Sequence, residues 1–209
     1  MDKRLAFGGV CLAAGLLAWG LGRANRVYGV YSPADFFQPA SVSDIASQLP
    51  YSSEDEFTLA AWEYVGGRIP YEPLGSDMGF GTKAIECEDC YFPTQVISRK
   101  KGNCVAKSSL LASLLVNRVS EDRVSIMVGD FHGDYNSHAW VSMERGGAWY
   151  VLEATAPPAK SKPWLPEEYA YSTYNPHVEI NSNYIINDAE GLIGKASCNC
   201  GQNEVRWLK

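Results

Sequence analysis

The sequence has no dominant basic run. Its 18 lysines and arginines are outnumbered by 24 aspartates and glutamates, giving a formal net charge of -6 and a pI near 5.1. That balance argues against a general nucleic-acid binder, which draws its affinity from positive charge set against phosphates. There is no glycine-rich phosphate loop and no internal repeat, which removes nucleotide-cradling motifs and repeat arrays from consideration. Histidine is scarce, with 3 in the chain, so each can be weighed in turn. The 209 residues, 46% hydrophobic and 20% charged, fit one globular domain plus an appendage.

The appendage is N-terminal. Met1-Asp2-Lys3-Arg4 precedes an uncharged run from Leu5 through Gly22 that includes Cys11. Its length is at the short end for a membrane span and long for a buried core helix, and Lys3 and Arg4 would also suit a signal peptide. No Ala-x-Ala cleavage site follows, and Arg23 and Arg26 come next, so an uncleaved signal anchor is expected. From Tyr28 to Ser53 the chain is rich in Ser, Pro, Tyr and Ala, with Pro33, Pro39 and Pro50 interrupting it. This segment reads as a linker with one short helix. Ser53-x-x-Glu56 is a capping-box pattern; Phe57, Ala60, Ala61, Tyr64 and Val65 follow at helical spacing, and Gly66-Gly67 is the expected stop.

The chemistry-bearing stretch is Lys101-Gly102-Asn103-Cys104-Val105-Ala106-Lys107. It predicts a glycine turn, an Asn cap, then a cysteine in the first turn of a helix whose apolar stripe is Val105, Leu111, Leu114 and Leu115. A thiol there feels the positive end of the helix dipole, which favours thiolate, and the same N–H groups suit an oxyanion. Taken alone, Cys104 is equally a small buried hydrophobe capping a core helix. The preceding Arg99-Lys100-Lys101 is a solvated loop that also raises the local potential.

Two downstream strands supply partners. Ser137 to Met143 and Ala148 to Thr155 both alternate, joined by Glu144-Arg145-Gly146-Gly147 as a hairpin. An Arg145-Gly146 turn puts His138 opposite Glu153, whereas a Gly146-Gly147 turn makes Glu153 a diagonal neighbour. Both keep imidazole and carboxylate on one face. Such a pair gives a thiolate its base, one ring nitrogen held by the acid and the other left for sulfur. The ordinary alternative is a cross-strand ion pair on a solvated face, against which Trp140 and Trp149 on the same face argue.

In order, Pro93 to Cys104, Ser137-His138-Ala139-Trp140-Val141 and Tyr150-Val151-Leu152-Glu153-Ala154-Thr155 resemble the transglutaminase-like superfamily. Family members carry Gly-Asp-Cys, Gly-His-Ala-Trp and Asp-Pro-Thr-like motifs; here Asn103, Ser137 and Glu153-Ala154 depart from them. The resemblance spans about the middle half of the chain, from the helix near Trp62 to Thr155. It implies an α+β, papain-related fold, a catalytic helix packed on an antiparallel sheet, and a Cys104–His138–Glu153 triad. It leaves open hydrolysis, acyl transfer to an amine, or a non-catalytic binding module. The expected organisation is a signal anchor or transmembrane helix over 1–26, a linker over 27–52 and the catalytic domain over 53–209. The expected activity is that of a membrane-anchored thiol amide hydrolase, a cysteine peptidase with a protein or peptide substrate, its domain extracytoplasmic. No cofactor is needed for catalysis. One oxyanion donor is the Cys104 backbone N–H, and Tyr91 or Gln95 are candidates for the second.

Four further cysteines form two close pairs, Cys87-x-x-Cys90 and Cys198-x-Cys200. They fit disulfides tying the C-terminal tail to the loop before the catalytic helix, then one four-thiolate structural zinc site, then four unlinked thiols. A local Cys87–Cys90 link is the alternative that leaves the tail untied. Asp130-x-His132-x-Asp134 has metal-ligand types but the character of a solvated turn, and His177 is expected at the surface. Arg123 to Gly129 reads as an apolar strand. The segment after Thr155, with Pro157, Pro158, Pro163 and Pro166, reads as a loop-rich tail wrapping the core.

Overall fold

Alternation and capping along the chain translate into two antiparallel sheets linked by helices. The computed structural model describes residues 28–73, 77–80, 84–131, 134–170, 173–187 and 196–197. Strand β1 (Tyr28–Tyr31) leads into helices α1 (Pro33–Phe36), α2 (Ser43–Gln48) and α3 (Glu54–Arg68). Strands β2 (Asp77–Phe80) and β3 (Ile85–Glu88) follow, then helices α4 (Pro93–Arg99) and α5 (Cys104–Leu115). The remainder is β4 (Val124–Phe131), β5 (Asp134–Arg145), β6 (Ala148–Leu152), β7 (Leu165–Pro166), α6 (Glu167–Ala170), β8 (Tyr174–Ile180), β9 (Ile185–Asn187) and β10 (Ala196–Ser197). One sheet has the order β1-β3-β2-β10, the other β7-β6-β5-β4-β8-β9. This is the expected α+β arrangement of helices and antiparallel sheet. The apolar run before Tyr28, with Cys11, lies outside the described residues, as do Cys198, Cys200 and His132. Among the described residues, no helix is long and apolar enough to cross a membrane.

Helix α5 is the centre of the larger core, and every residue from Cys104 to Leu115 is buried. The sequence pattern predicted a single apolar stripe, but a helix enclosed on all sides must instead satisfy its polar side chains locally. Ser109 Oγ donates to Phe36 O, Ser113 Oγ accepts the Gln38 N–H at 2.8 Å, and Ser108 Oγ donates to Ala139 O at 3.1 Å. These bonds also correct the reading of 27–52 as a linker. From Tyr28 onward this segment is part of the domain: Phe36, Phe37, Val42 and Ala46 are buried in the core and Phe36 is held to α5 by two serines. Prolines and serines masked that role, because the segment packs through short turns with no sustained period.

Helix α3 begins as expected, with Ser53 Oγ accepting the Glu56 N–H. It runs through Gly66-Gly67 and ends instead before Pro70, where Ile69 takes the extended backbone that a following proline favours. Gly66 serves a close approach: an added Cβ would stand 2.9 Å from Ala156 O.

The β5–β6 hairpin takes the Gly146-Gly147 turn. Both glycines have positive φ, and the pairing runs Arg145↔Ala148 to Val141↔Leu152. The Pro-rich tail supplies strands as well as loops, since β8 pairs with β4 in the interior of the sheet. That pairing is interrupted by a bulge at Gly129, where a Cβ would fall 2.0 Å from Asn175 O. Backbone fills the space of a side chain there, so only glycine fits.

Candidate active site

The turn ahead of α5 is fixed from several directions. Tyr71 bridges to Gly102, Glu72 N–H donates to Gly102 O, and Gly102 N–H donates to Pro70 O. Asn103 Oδ1 accepts the Ala106 N–H at 3.0 Å, the cap expected from sequence. Arg99 and Lys101 both pair with Glu72, at 2.9 and 2.5 Å. One carboxylate thus holds both cations on the chain just ahead of α5.

Cys104 is the first residue of α5 and fully buried. It stands as one half of a disulfide, so any chemistry at its sulfur belongs to the reduced chain. One turn later Ser108 holds Ala139 O. Strand β6 stops alongside β5 at the Val141–Leu152 pair, and Ala139, two residues before that pair on β5, is the residue that Ser108 reaches. The second turn of α5 and the stretch of β5 that follows His138 are therefore joined through Ser108 and Ala139.

His138 and Glu153 are brought together. His138 Nε2 lies 2.7 Å from Glu153 Oε2, and both side chains are about 5% exposed or less. The observed hairpin register makes them diagonal neighbours, and Glu153 sits just past the last residue of β6. Three further donors surround the carboxylate. Thr155 N–H reaches Oε1 at 2.7 Å, Thr155 Oγ–H reaches the same oxygen, and Tyr174 O–H reaches Oε2 at 3.1 Å. Four donors match the lone-pair sites of an ionised carboxylate. The Glu153 backbone is held too, its carbonyl accepting Trp62 Nε1–H at 2.7 Å. Burial pushes the Glu153 carboxyl upward, but the charge of His138 and the bonds from His138 and Thr155 outweigh it, leaving the group below the usual carboxylate range. Burial beside that carboxylate raises the Tyr174 hydroxyl far above the ordinary phenol value, which keeps it a donor.

The imidazole lies against a second apolar cluster. Trp140 stacks on it at 6.2 Å between ring centroids, and the tilted rings of Phe131 and Tyr174 lie at 4.8 and 6.3 Å. Trp140 is buried as expected, whereas Trp149 is half-exposed toward the hairpin tip. Tyr174 was not recognisable from sequence: it follows a proline-rich stretch and reaches the site only because β8 pairs with β4. Lys107, one turn into α5, was also missed; its Nζ donates to Ile69 O at 2.6 Å and Thr155 O at 3.4 Å.

The remaining candidates fall elsewhere. Gln95 Oε1 accepts the Phe92 N–H at the start of α4, and the Tyr91 ring lies under Arg99 at 3.8 Å. Cys87 and Cys90 are joined to each other, so this pair does not tie the tail to the loop, and a disulfide offers no thiolate to zinc. His177 is half-exposed but not idle, its Nε2 lying 2.8 Å from Asp130 Oδ2. Among the described residues, no cluster of three or more metal-ligating side chains occurs.

Among solved structures, similarity is found to a candidate cysteine protease of Cytophaga hutchinsonii. It is 14% identical, with a TM-score of 0.42 and coverage of 61% of this chain and 49% of that one. The chain therefore spans about half the length of that protein. LapG of Legionella pneumophila is also similar, at 14% identity, a TM-score of 0.46, and coverage of 72% and 88%. Its calcium-bound form gives 14% identity and 0.45 over the same shares. No curated protein sequence matches. The model of the transglutaminase-like domain matches residues 40–183, which include Cys104, the His138–Glu153 pair and Tyr174 alike, and on that match the chain belongs to the transglutaminase-like family.

Proposed function

We propose that the reduced chain is a thiol amide hydrolase, a cysteine peptidase acting on protein or peptide. The observation that carries this reading is the buried His138–Glu153 pair, with Ser108, one turn into the helix that Cys104 begins, bonded to Ala139 beside His138. In the reaction, His138 takes the thiol proton and Cys104 sulfur attacks the carbonyl carbon. The C–N bond breaks as His138 returns the proton to the leaving amine. Water then opens the thioester, giving up a proton to His138 and restoring the thiol. Glu153 orients the ring through Nε2 and stabilises the imidazolium, so Nδ1 is the nitrogen that exchanges a proton with sulfur. The positive end of α5 favours the oxyanion formed in both halves.

The same reading keeps residues 1–26 as a membrane anchor, with the domain outside the cytoplasm. The uncharged run from Leu5 through Gly22 supports the anchor, and the Cys87–Cys90 disulfide supports an oxidising compartment. Dye-labelled casein incubated with reduced enzyme tests the chemistry. Release of labelled peptides should vanish in Cys104→Ala and His138→Ala while their circular dichroism is unchanged. Retained turnover in Cys104→Ala removes the hypothesis. Dansylcadaverine added to the same reaction separates the alternatives: hydrolysis should exceed amine incorporation, and the reverse makes the enzyme an acyltransferase.

A further inference from the structure

The most unusual group near this site is a charge inside the core. Lys107 is 1% exposed, on a helix with no solvated face. Taking an ammonium out of water is costly unless it is paired. Its Nζ has two carbonyl acceptors, Ile69 O at 2.6 Å and Thr155 O at 3.4 Å. Among the described residues, Glu153 is the charged group whose field it feels, and the four donors on Glu153 do not include Lys107. An unbranched apolar side chain such as Met would fill the same volume without a charge.

We propose that Lys107 is a positioning residue of this site, a buried ammonium that ties the Glu153–Thr155 segment to α5 and favours thiolate at Cys104. The inference rests on the reading of Cys104 as the nucleophile. The geometry is that of a clamp. One end is the helix that begins with Cys104, and the other holds Ile69 at the end of α3 and Thr155, whose own N–H and hydroxyl hold Glu153. Residues three apart on a helix share a face, so Lys107 and Cys104 lie on neighbouring turns of one side. The charged group set against Lys107 is Glu153, with His138 and Tyr174 bound to that carboxylate, and Cys104 stands one turn back on the same helix. Moving a proton from Cys104 to His138 places negative charge nearer Lys107 along α5, which the ammonium stabilises. Burial lowers the Lys107 ammonium to about 8, partly opposed by Glu153, so it is charged at neutral pH and discharges just above.

The test reads Cys104 directly. In the reduced chain, the rate of iodoacetamide alkylation at Cys104 is followed against pH by mass spectrometry. Lys107→Met should move the midpoint up by about one unit, because a neighbouring positive charge is lost. A folded Lys107→Met chain with an unmoved midpoint overturns the proposal, as does a lowered Tm with no shift, which would make Lys107 only a filler. If Lys107→Met does not fold, the unmutated chain answers the question. With lysine labelled at Cε, the NMR titration midpoint of Lys107 should fall once Cys104 is alkylated, because coupling between two sites is reciprocal. An unchanged Lys107 midpoint overturns the proposal. These readouts are separate from turnover: casein hydrolysis that survives Cys104→Ala would sink the peptidase reading while leaving the alkylation result to judge Lys107.

Discussion

At the residue scale, the site is defined by how completely Glu153 is held. Tyr174→Phe removes one of four donors with little change in shape. A hydrogen bond to a charged group is worth about 1.5–3 kcal/mol, so the rate should fall roughly ten- to hundredfold if Tyr174 sets the carboxylate. Steady-state kinetics with the casein probe checks this, and an unchanged rate would reduce Tyr174 to packing. Glu153→Gln should cost more, since the imidazolium loses its counter-charge as well as an acceptor. The same carboxylate shapes acid stability. Its folded value lies below the ordinary 4.5, so its contribution is complete above 4.5 and is lost as pH falls through the folded value. Urea unfolding between pH 7 and 3 should show a shallower loss in Glu153→Gln than in the parent. Lys107 works in the same direction in a higher window: between its folded value of about 8 and the ordinary 10.5, the unfolded chain holds a proton that the folded chain has released. Stability from this group therefore rises with pH across that window, by at most about 1.4 kcal/mol per unit, and Lys107→Met should abolish the rise. Sequence pattern exposed Asn103, Cys104, His138 and Glu153 because each lies in a local motif. It hid Tyr174 and Lys107, because one arrives by strand pairing and the other sits where apolar neighbours are the rule.

At the scale of elements, local signals were legible and long-range ones were not. The hairpin, the capped start of α3 and the head of α5 follow from a few adjacent residues each. The end of α3 was misjudged because Gly66-Gly67 serves packing against Ala156, while Pro70 provides the stop. The stretch around Phe36 looked like a linker because its fit depends on serines of α5 some seventy residues away. The bulge between β4 and β8 yields an element-level prediction. Gly129→Ala forces Cβ against Asn175 O, next to Tyr174 in sequence, and an overpacked backbone costs about 1–3 kcal/mol. Thermal unfolding should report that loss, and turnover should fall with it as β8 shifts. An Ala variant with parental Tm and rate would show that the bulge yields freely. The head of α5 gives another expectation. Because Cys104 is buried and disulfide-linked, iodoacetamide should leave it unmodified in the native, non-reduced chain and modify it after reductant. Labelling without reductant would contradict this state of the sulfur. Intact mass should rise by two hydrogens for each disulfide opened, including Cys87–Cys90.

At the scale of the molecule, the site draws on the chain from Trp62 in α3 to Tyr174 in β8. The family match begins at residue 40 and ends at 183, beyond the last recognisable motif at both ends. The recognisable motifs all end by Thr155, yet β4 in the interior of the sheet finds its second neighbour only in β8, beyond Ala170. A gene product cut short after Thr155 would keep the cysteine, the histidine and the glutamate in perfect order. Any inventory of motifs would count it as a whole enzyme. It would nevertheless have lost a sheet partner and the phenol that holds the acid, so the last quarter of this reading frame bears on the site as much as its signature residues do.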